Sequence, residues 1–269
     1  MFTLISSRPR LCFADGTSRQ DAVLDMPFKQ AYGITELQWP AFELRALPDA
    51  QARISNWLGA SDLQASKRLV VFVSPGALDL IRPCFPSDWP ATLVCGLMGD
   101  GSAAKASSLG IPSSVQVYPR MALGQTQDAA GLLDCLGSAG HGFVWQHGLL
   151  IKGPAGNADL PQGLLGLCAD LQVLQAYERQ PLAVDTRQTD LLSGAIVFYL
   201  SSSEAAHSVC PVILACQQKS PPQAVTVLTT HPKIADAARL AGLSPSQPID
   251  PGPAALRAWV LQHFAPTQH

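Results

Sequence analysis

The chain is poor in charge. Only 14% of its 269 residues are Asp, Glu, Lys or Arg, well below the usual quarter. That scarcity excludes a disordered, charge-solvated polymer and leaves no basic stripe for nucleic acid. The formal net charge is −2, so no global positive field draws in a polyanion. Any anion site must be local, built from a few cations and backbone N–H groups. The seven cysteines include no Cys-x-x-Cys pair. Their odd number and scatter argue against a disulfide framework and fit a reducing compartment. Cys95, Cys168 and Cys210 lie in apolar stretches and read as small buried hydrophobes. No apolar run approaches the ~20 residues that span a bilayer. The N-terminus places its short apolar run before its basic residues, the wrong order for a signal peptide. A cytoplasmic protein is expected, with neither membrane nor nucleic acid among its partners.

Catalytic fingerprints are also scarce. Gly99-Asp100-Gly101-Ser102 is not a G-x-G-x-x-G turn, because Ala stands at position 104, and no Walker A sequence occurs. His141 and His147 have no third ligand at metal spacing. No G-x-S-x-G elbow supports a hydrolase triad. The residues thus point to a protein without metal or cofactor, and without an activated nucleophile.

What is present is an apolar chain with an internal repeat. Hydrophobic residues make up 47%, enough for a real core. Val70-Val71-Phe72-Val73 reads as a strand, and Ser74-Pro75-Gly76-Ala77 as a helix start with Ser as N-cap and Pro at the first position. Thr92-Leu93-Val94-Cys95 and then Gly99-Asp100-Gly101-Ser102 repeat the order, with a helix ending at Leu109-Gly110. Further on, Ala195 to Leu200 leads into Ser201-Ser202-Ser203. Val225-Thr226-Val227-Leu228 then leads into Thr230-His231-Pro232-Lys233. The last helix carries Ile234, Ala237, Ala238 and Ala241 at helical period and stops at Gly242. Further helical stripes are Ile54, Trp57 and Leu58, and Leu256, Trp259, Val260 and Phe264 after Pro251-Gly252-Pro253.

Apolar strands alternating with amphipathic helices predict an α/β fold of two similar domains, each a parallel sheet flanked by helices. Two extended segments, 34–44 and 171–181, flank one repeat and would make a two-strand linker. The first domain would then be discontinuous, 1–38 plus 180–269, with 42–175 inserted as the second. Spacing alone allows this division without requiring it. Ligands of such sheets bind beyond the carboxyl ends of the strands, at helix starts. Here those are Arg8-Pro9, Ser74-Pro75-Gly76, Gly99 to Ser102, Ser201 to Ser203 and His231-Pro232-Lys233. Small hydroxyl residues and exposed N–H groups there suit carboxylates or phosphates. Each turn taken singly is an ordinary cap.

In order and spacing these pieces resemble uroporphyrinogen-III synthases over nearly the whole chain. Leu4-Ile5-Ser6-Ser7-Arg8-Pro9 resembles the family's opening strand and Thr-Arg-Pro turn. Gly33-Ile34-Thr35-Glu36-Leu37 with Pro40 looks like its first linker strand. Val71-Phe72-Val73-Ser74-Pro75-Gly76-Ala77 is similar to its Phe-Thr-Ser-Pro-Asn-Ala-Val signature, and Gly99-Asp100-Gly101-Ser102-Ala103 to its Gly-x-x-Thr-Ala turn. Val173 to Arg179 looks like its second linker, and Thr230 to Ala235 its last strand–helix turn. One departure stands out. Lys152-Gly153-Pro154-Ala155-Gly156-Asn157 replaces an Arg-Gly-x-x-Gly-Arg segment, so one cation of two survives. The stretch from Leu11 to Lys29, with Gly16 and Pro27, also lacks the usual Ala-rich first helix.

The resemblance implies a carbon–oxygen hydro-lyase of porphyrin and haem biosynthesis, working without cofactor in a cleft between the domains. Its substrate would be hydroxymethylbilane, handed over by the preceding pathway enzyme. Ring closure would invert ring D through a spiro intermediate. Tyr177, matching the family's linker Tyr, would be the catalytic acid. Arg8, Lys152 and Lys233 would face substrate carboxylates, with Ser74, Ser102 and Ser202 as hydrogen-bond donors. A monomer is expected, since two linked lobes would already make the cleft. The competing expectation is a non-catalytic two-lobed protein that binds tetrapyrroles or another small molecule.

Overall fold

The computed structural model describes residues 2–59, 68–139, 145–154, 158–183, 189, 192, 194–218, 224–246, 248–250 and 252–264. In chain order the strands are β1 (Phe2–Ser6), β2 (Arg10–Cys12), β3 (Ser18–Arg19), β4 (Ile34–Gln38), β5 (Phe42–Ala46), β6 (Arg68–Phe72), β7 (Leu93–Leu97), β8 (Gln116–Val117), β9 (Trp145–Lys152), β10 (Cys168–Gln175), β11 (Tyr177–Pro181), β12 (Ala195–Leu200) and β13 (Val225–Thr229). The helices are α1 (Met26–Tyr32), α2 (Ala50–Gly59), α3 (Pro75–Ile81), α4 (Asp100–Ser108), α5 (Ala129–Ala139), α6 (Asp159–Leu165), α7 (Ser203–Gln217), α8 (Pro232–Leu240) and α9 (Pro253–His263).

The chain forms two compact units. Unit 1 gathers Met1–Arg10, Ser18–Glu43 and Gln180–His269, and unit 2 gathers Leu11–Thr17 and Leu44–Arg179. Residues 11–17, which the sequence ranges keep with the first domain, group with unit 2.

Unit 1 is built on a parallel sheet in the order β13-β12-β1-β4. Its strands are apolar on both faces because both faces are covered. Ile5, Ile196, Phe198, Leu200 and Val227 pack with Val209, Ile213, Ile234 and Ala238 of α7 and α8. The alternate residues Phe2, Leu4, Val197, Tyr199 and Leu228 pack on the other face with Leu24, Leu256 and Val260. The expected C-terminal stripe is real, with Trp259 and Phe264 packed against this second cluster. One carboxylate serves this unit in a way the sequence did not announce. Glu36, whose side chain is 1% exposed, pairs with Lys29 at 3.2 Å. It also accepts from the Val23 N–H at 2.6 Å, the Leu24 N–H at 3.4 Å and Gln38 Nε2 at 2.7 Å.

Between Leu11 and Tyr32, unit 1 has only one helix, the seven-residue α1. Gly16, at φ 84°, turns the chain between β2 and β3. Pro27 is tolerated because it falls in the first turn of α1, where its missing N–H costs nothing. Asp25 caps that turn by accepting from the Phe28 N–H at 2.9 Å.

Unit 2 carries a five-stranded parallel sheet in the order β10-β9-β6-β7-β8. Leu69, Val71 and Leu150 pack with Leu132, Leu136, Leu160 and Leu164 of α5 and α6. Val70, Phe72, Cys95 and Leu97, which alternate with them, are fully buried as well. No disulfide joins the cysteines, and Cys95, Cys168 and Cys210 are buried, as their apolar settings predict. Arg82 is an unexpected core residue. It donates to the carbonyls of Phe85, Pro86 and Ser87 at 3.3, 2.8 and 2.7 Å and lies over the Trp89 ring.

The two extended segments read as linkers each divide. The first half of each is an edge strand of a main sheet, β4 or β10. Only the second halves, β5 and β11, enter a third sheet, in the order β11-β5-β2-β3. Pro40 interrupts the first segment because it has no N–H for a ladder. Ala176 divides the second by changing partners. Its N–H donates to Lys152 O at 3.0 Å and its carbonyl accepts from the Leu47 N–H at 2.9 Å.

Candidate functional site

In an open parallel sheet, a crevice opens where neighbouring strands send the chain away in opposite directions. Unit 1 has that switch between β1 and β12, since β4 follows on one side and β13 on the other. Arg8 leaves the carboxyl end of β1, and Ser201-Ser202 leave that of β12. The two exits are joined directly. The Ser7 hydroxyl donates to Tyr199 O at 3.1 Å, and the Ser201 N–H reaches Ser7 Oγ at 3.4 Å. Ser202 caps α7 by accepting from the Ala205 N–H at 3.1 Å, which leaves its own hydrogen to donate. Arg8 is half-buried and Lys233 exposed. Lys233 stands one strand further out, after β13, where His231 Nδ1 caps α8 by accepting the Lys233 N–H at 3.1 Å.

In unit 2 the switch lies between β6 and β9, since β7 and β8 extend one side and β10 the other. Ser74 leaves β6 and Lys152-Gly153 leave β9 at this point. Tyr177 begins β11 and joins them. Its phenol is buried, 6% exposed. Burial pushes its proton affinity above the usual value. The Ser74 hydroxyl, the Gly153 backbone and the Arg179 charge each draw it back. Both hydrogen bonds favour the phenolate, as donors to its oxygen do. Tyr177 therefore stays protonated at neutral pH while its oxygen is held from two sides. Gly153 touches the ring itself: a Cβ there would lie 2.9 Å from Tyr177 Cε2.

The structure thus brings together Ser74, Lys152 and Tyr177 in one unit, and Arg8 and Ser202 in the other. Ser102 lies apart from the unit 2 switch, after β7. It is 4% exposed, on the inner face of α4 with Ala103 and Ala106. Sequence reasoning missed Gly153, whose signal was a glycine directly after an apolar strand. Residues 155–157, which hold the family departure, and His141 lie outside the described residues. His147 pairs with Asp170 at 3.4 Å. Among the described residues no three His, Cys, Asp or Glu gather as a metal site. No helix among them is long and apolar enough to cross a membrane.

No curated protein sequence matches the chain. The fold is that of uroporphyrinogen-III synthetase from Helicobacter pylori 26695, 13% identical over 97% of this chain and 99% of that one, with a TM-score of 0.51. A mutant uroporphyrinogen III synthase from the extremely thermophilic bacterium Thermus thermophilus aligns at 14% identity over 97% and 99% of the two chains, with a TM-score of 0.47. Residues 29–257 match the family model described as Uroporphyrinogen-III synthase HemD. With most of its length inside that match, the chain belongs to the uroporphyrinogen-III synthase family.

Proposed function

We propose that the chain converts hydroxymethylbilane to uroporphyrinogen III, as a hydro-lyase. The Tyr177 O–H bond breaks and its proton goes to the ring-A hydroxymethyl oxygen. The C–O bond breaks with its electron pair, water leaves, and an azafulvenium-type cation remains. The substituted ring-D carbon attacks that cation to form a spiro intermediate. Reopening breaks the original methylene bond to ring D, reclosure at the free α-carbon inverts the ring, and the proton which that carbon loses returns to the Tyr177 oxygen. A phenol with pKa ~10 is a ready donor at neutral pH.

Eight substrate carboxylates need partners. Arg8 and Lys152 are the first candidates because each stands at a switch point, with Ser202 as a hydroxyl donor beside Arg8. Lys233 is a further candidate, one strand away from the unit 1 switch, whereas the burial of Ser102 on the inner face of α4 removes it from the set. Positioning of the substrate's ends can supply ~7–11 kcal/mol of barrier lowering in favourable cases, which suits a site without a nucleophile. The observation that carries this reading is the buried Tyr177 phenol, held between Ser74 and Gly153 in a chain of this family. The test is a coupled assay with freshly generated hydroxymethylbilane and separation of the oxidised isomers. Isomer III as the dominant product supports the reading. Isomer I alone, at the spontaneous rate and with folded protein, refutes it and leaves a binding protein.

A further inference from the structure

We propose that Ser74 is a positioning residue that acts through Tyr177, its hydroxyl and the Gly153 N–H forming a two-donor cradle for the tyrosine oxygen. This rests on the reading of Tyr177 as the acid. The Ser74 oxygen is already engaged, since it accepts the Ala77 N–H at 3.1 Å at the start of α3. That fixes the side chain as the N-cap and leaves its hydrogen to donate, and the Tyr177 side chain is a hydrogen-bond partner of this hydroxyl. Gly153 closes the other side. It is buried, and no Cβ fits between it and the ring. Two donors occupy the lone pairs of the phenol oxygen, so the phenol's own hydrogen must point away from both. The proton to be transferred is thereby aimed outward before substrate arrives.

The same two donors stabilise what transfer leaves behind. When the Tyr177 proton passes to the departing hydroxyl, the O–H electron pair stays on the tyrosine oxygen as phenolate. A phenolate made in a buried site needs donors already in place, as an oxyanion does. Ser74 is thus withdrawn from direct contact with substrate, and its removal should act on turnover rather than on binding.

The experiment is a cycle of Ser74→Ala, Tyr177→Phe and the double variant, assayed for isomer III with freshly generated hydroxymethylbilane. Ser74→Ala is expected to lower kcat roughly 10- to 100-fold, with KM within about twofold. Ser74→Thr, which keeps a capping hydroxyl, should restore most of the rate. The double variant should be no slower than Tyr177→Phe alone. A raised KM with kcat preserved, or losses that multiply in the double variant, would overturn the proposal. If Ser74→Ala is too unstable to assay, Ser74→Asp keeps the cap but has no hydrogen to give; a wild-type rate there overturns it equally. Carbon-13 NMR of ring-labelled tyrosine, with Tyr177 assigned through Tyr177→Phe, needs no catalysis. Ser74→Ala should move the Tyr177 titration midpoint up by roughly one pH unit, and an unmoved midpoint refutes the cradle. An inactive wild-type protein with the midpoint shift intact would instead remove only the synthase reading.

Discussion

Replacing Gly153 with Ala sets two effects of opposite sign against each other. Gly153 is not among the glycines with positive φ, so its backbone accepts an L side chain. With open space nearby, Gly→Ala would stabilise the fold by ~0.4–1 kcal/mol by restricting the unfolded chain. The space is not open. The new Cβ would lie 2.9 Å from Tyr177 Cε2 and 3.4 Å from Cδ2 and Cζ. Non-bonded carbons rest ~3.5–4.0 Å apart, so the ring must retreat by roughly 0.6–1 Å. Overpacking of this kind costs ~1–3 kcal/mol, and the net loss should be about 0–2.6 kcal/mol. The effect on chemistry should be larger. A 1 Å misplacement can cost ~100-fold in rate, so kcat for isomer III should fall roughly 10- to 100-fold. Urea unfolding and initial-rate assays read the two consequences separately. A variant as stable as its parent with unchanged kcat would show that the ring does not rest on Gly153.

Three more outcomes follow from the packing. Glu36→Ala leaves the Lys29 ammonium and the Val23 and Leu24 N–H groups without their acceptor. Urea unfolding should show a loss of ~3–5 kcal/mol, and a loss below about 1 kcal/mol would contradict the network. Arg82→Lys cannot fork across three carbonyls, so thermal unfolding should show a loss of ~1–3 kcal/mol; an unchanged midpoint would mean the loop at 85–87 is held otherwise. Burial, with a smaller push from Asp170, raises the Cys168 thiol from 9.0 to about 11. Its contribution to stability is complete below pH ~9, where folded and unfolded chains both hold the proton. It is lost as pH rises towards ~11, because the unfolded chain releases that proton first. Cys168→Ala should therefore lose less stability than the parent between about pH 8 and about pH 10.5, measured by urea unfolding. Equal alkaline slopes would contradict the assignment.

The repeat of strand, cap and helix was legible because each start carries its own chemistry. Ser74 caps the helix it was read to cap, Ser202 within the Ser201–Ser203 run caps the next, and Ala195–Leu200 is a strand with the bounds its residues suggest. The extended segments were harder to read. Pro40 marks a break within Ile34–Leu44, but which sheet each half joins depends on the neighbour it pairs with. Ala176 is the sharper case: an ordinary residue where the strand changes sheets, visible only through its partners Lys152 and Leu47. The same limit applies to the site. Tyr177 stands out in the sequence only by its place in a family pattern, whereas Gly153 and the Ser74 contact are tertiary. Glu36 and Arg82 carried no sign of their buried roles, because sequence records charge and not burial.

The most direct test of the account compares wild type with Tyr177→Phe in single-turnover formation of isomer III, with folding checked by urea unfolding. The account predicts isomer III from the wild type and a large fall in its rate for the variant, with the variant still folded. A Tyr177→Phe protein that forms isomer III at the wild-type rate would contradict it.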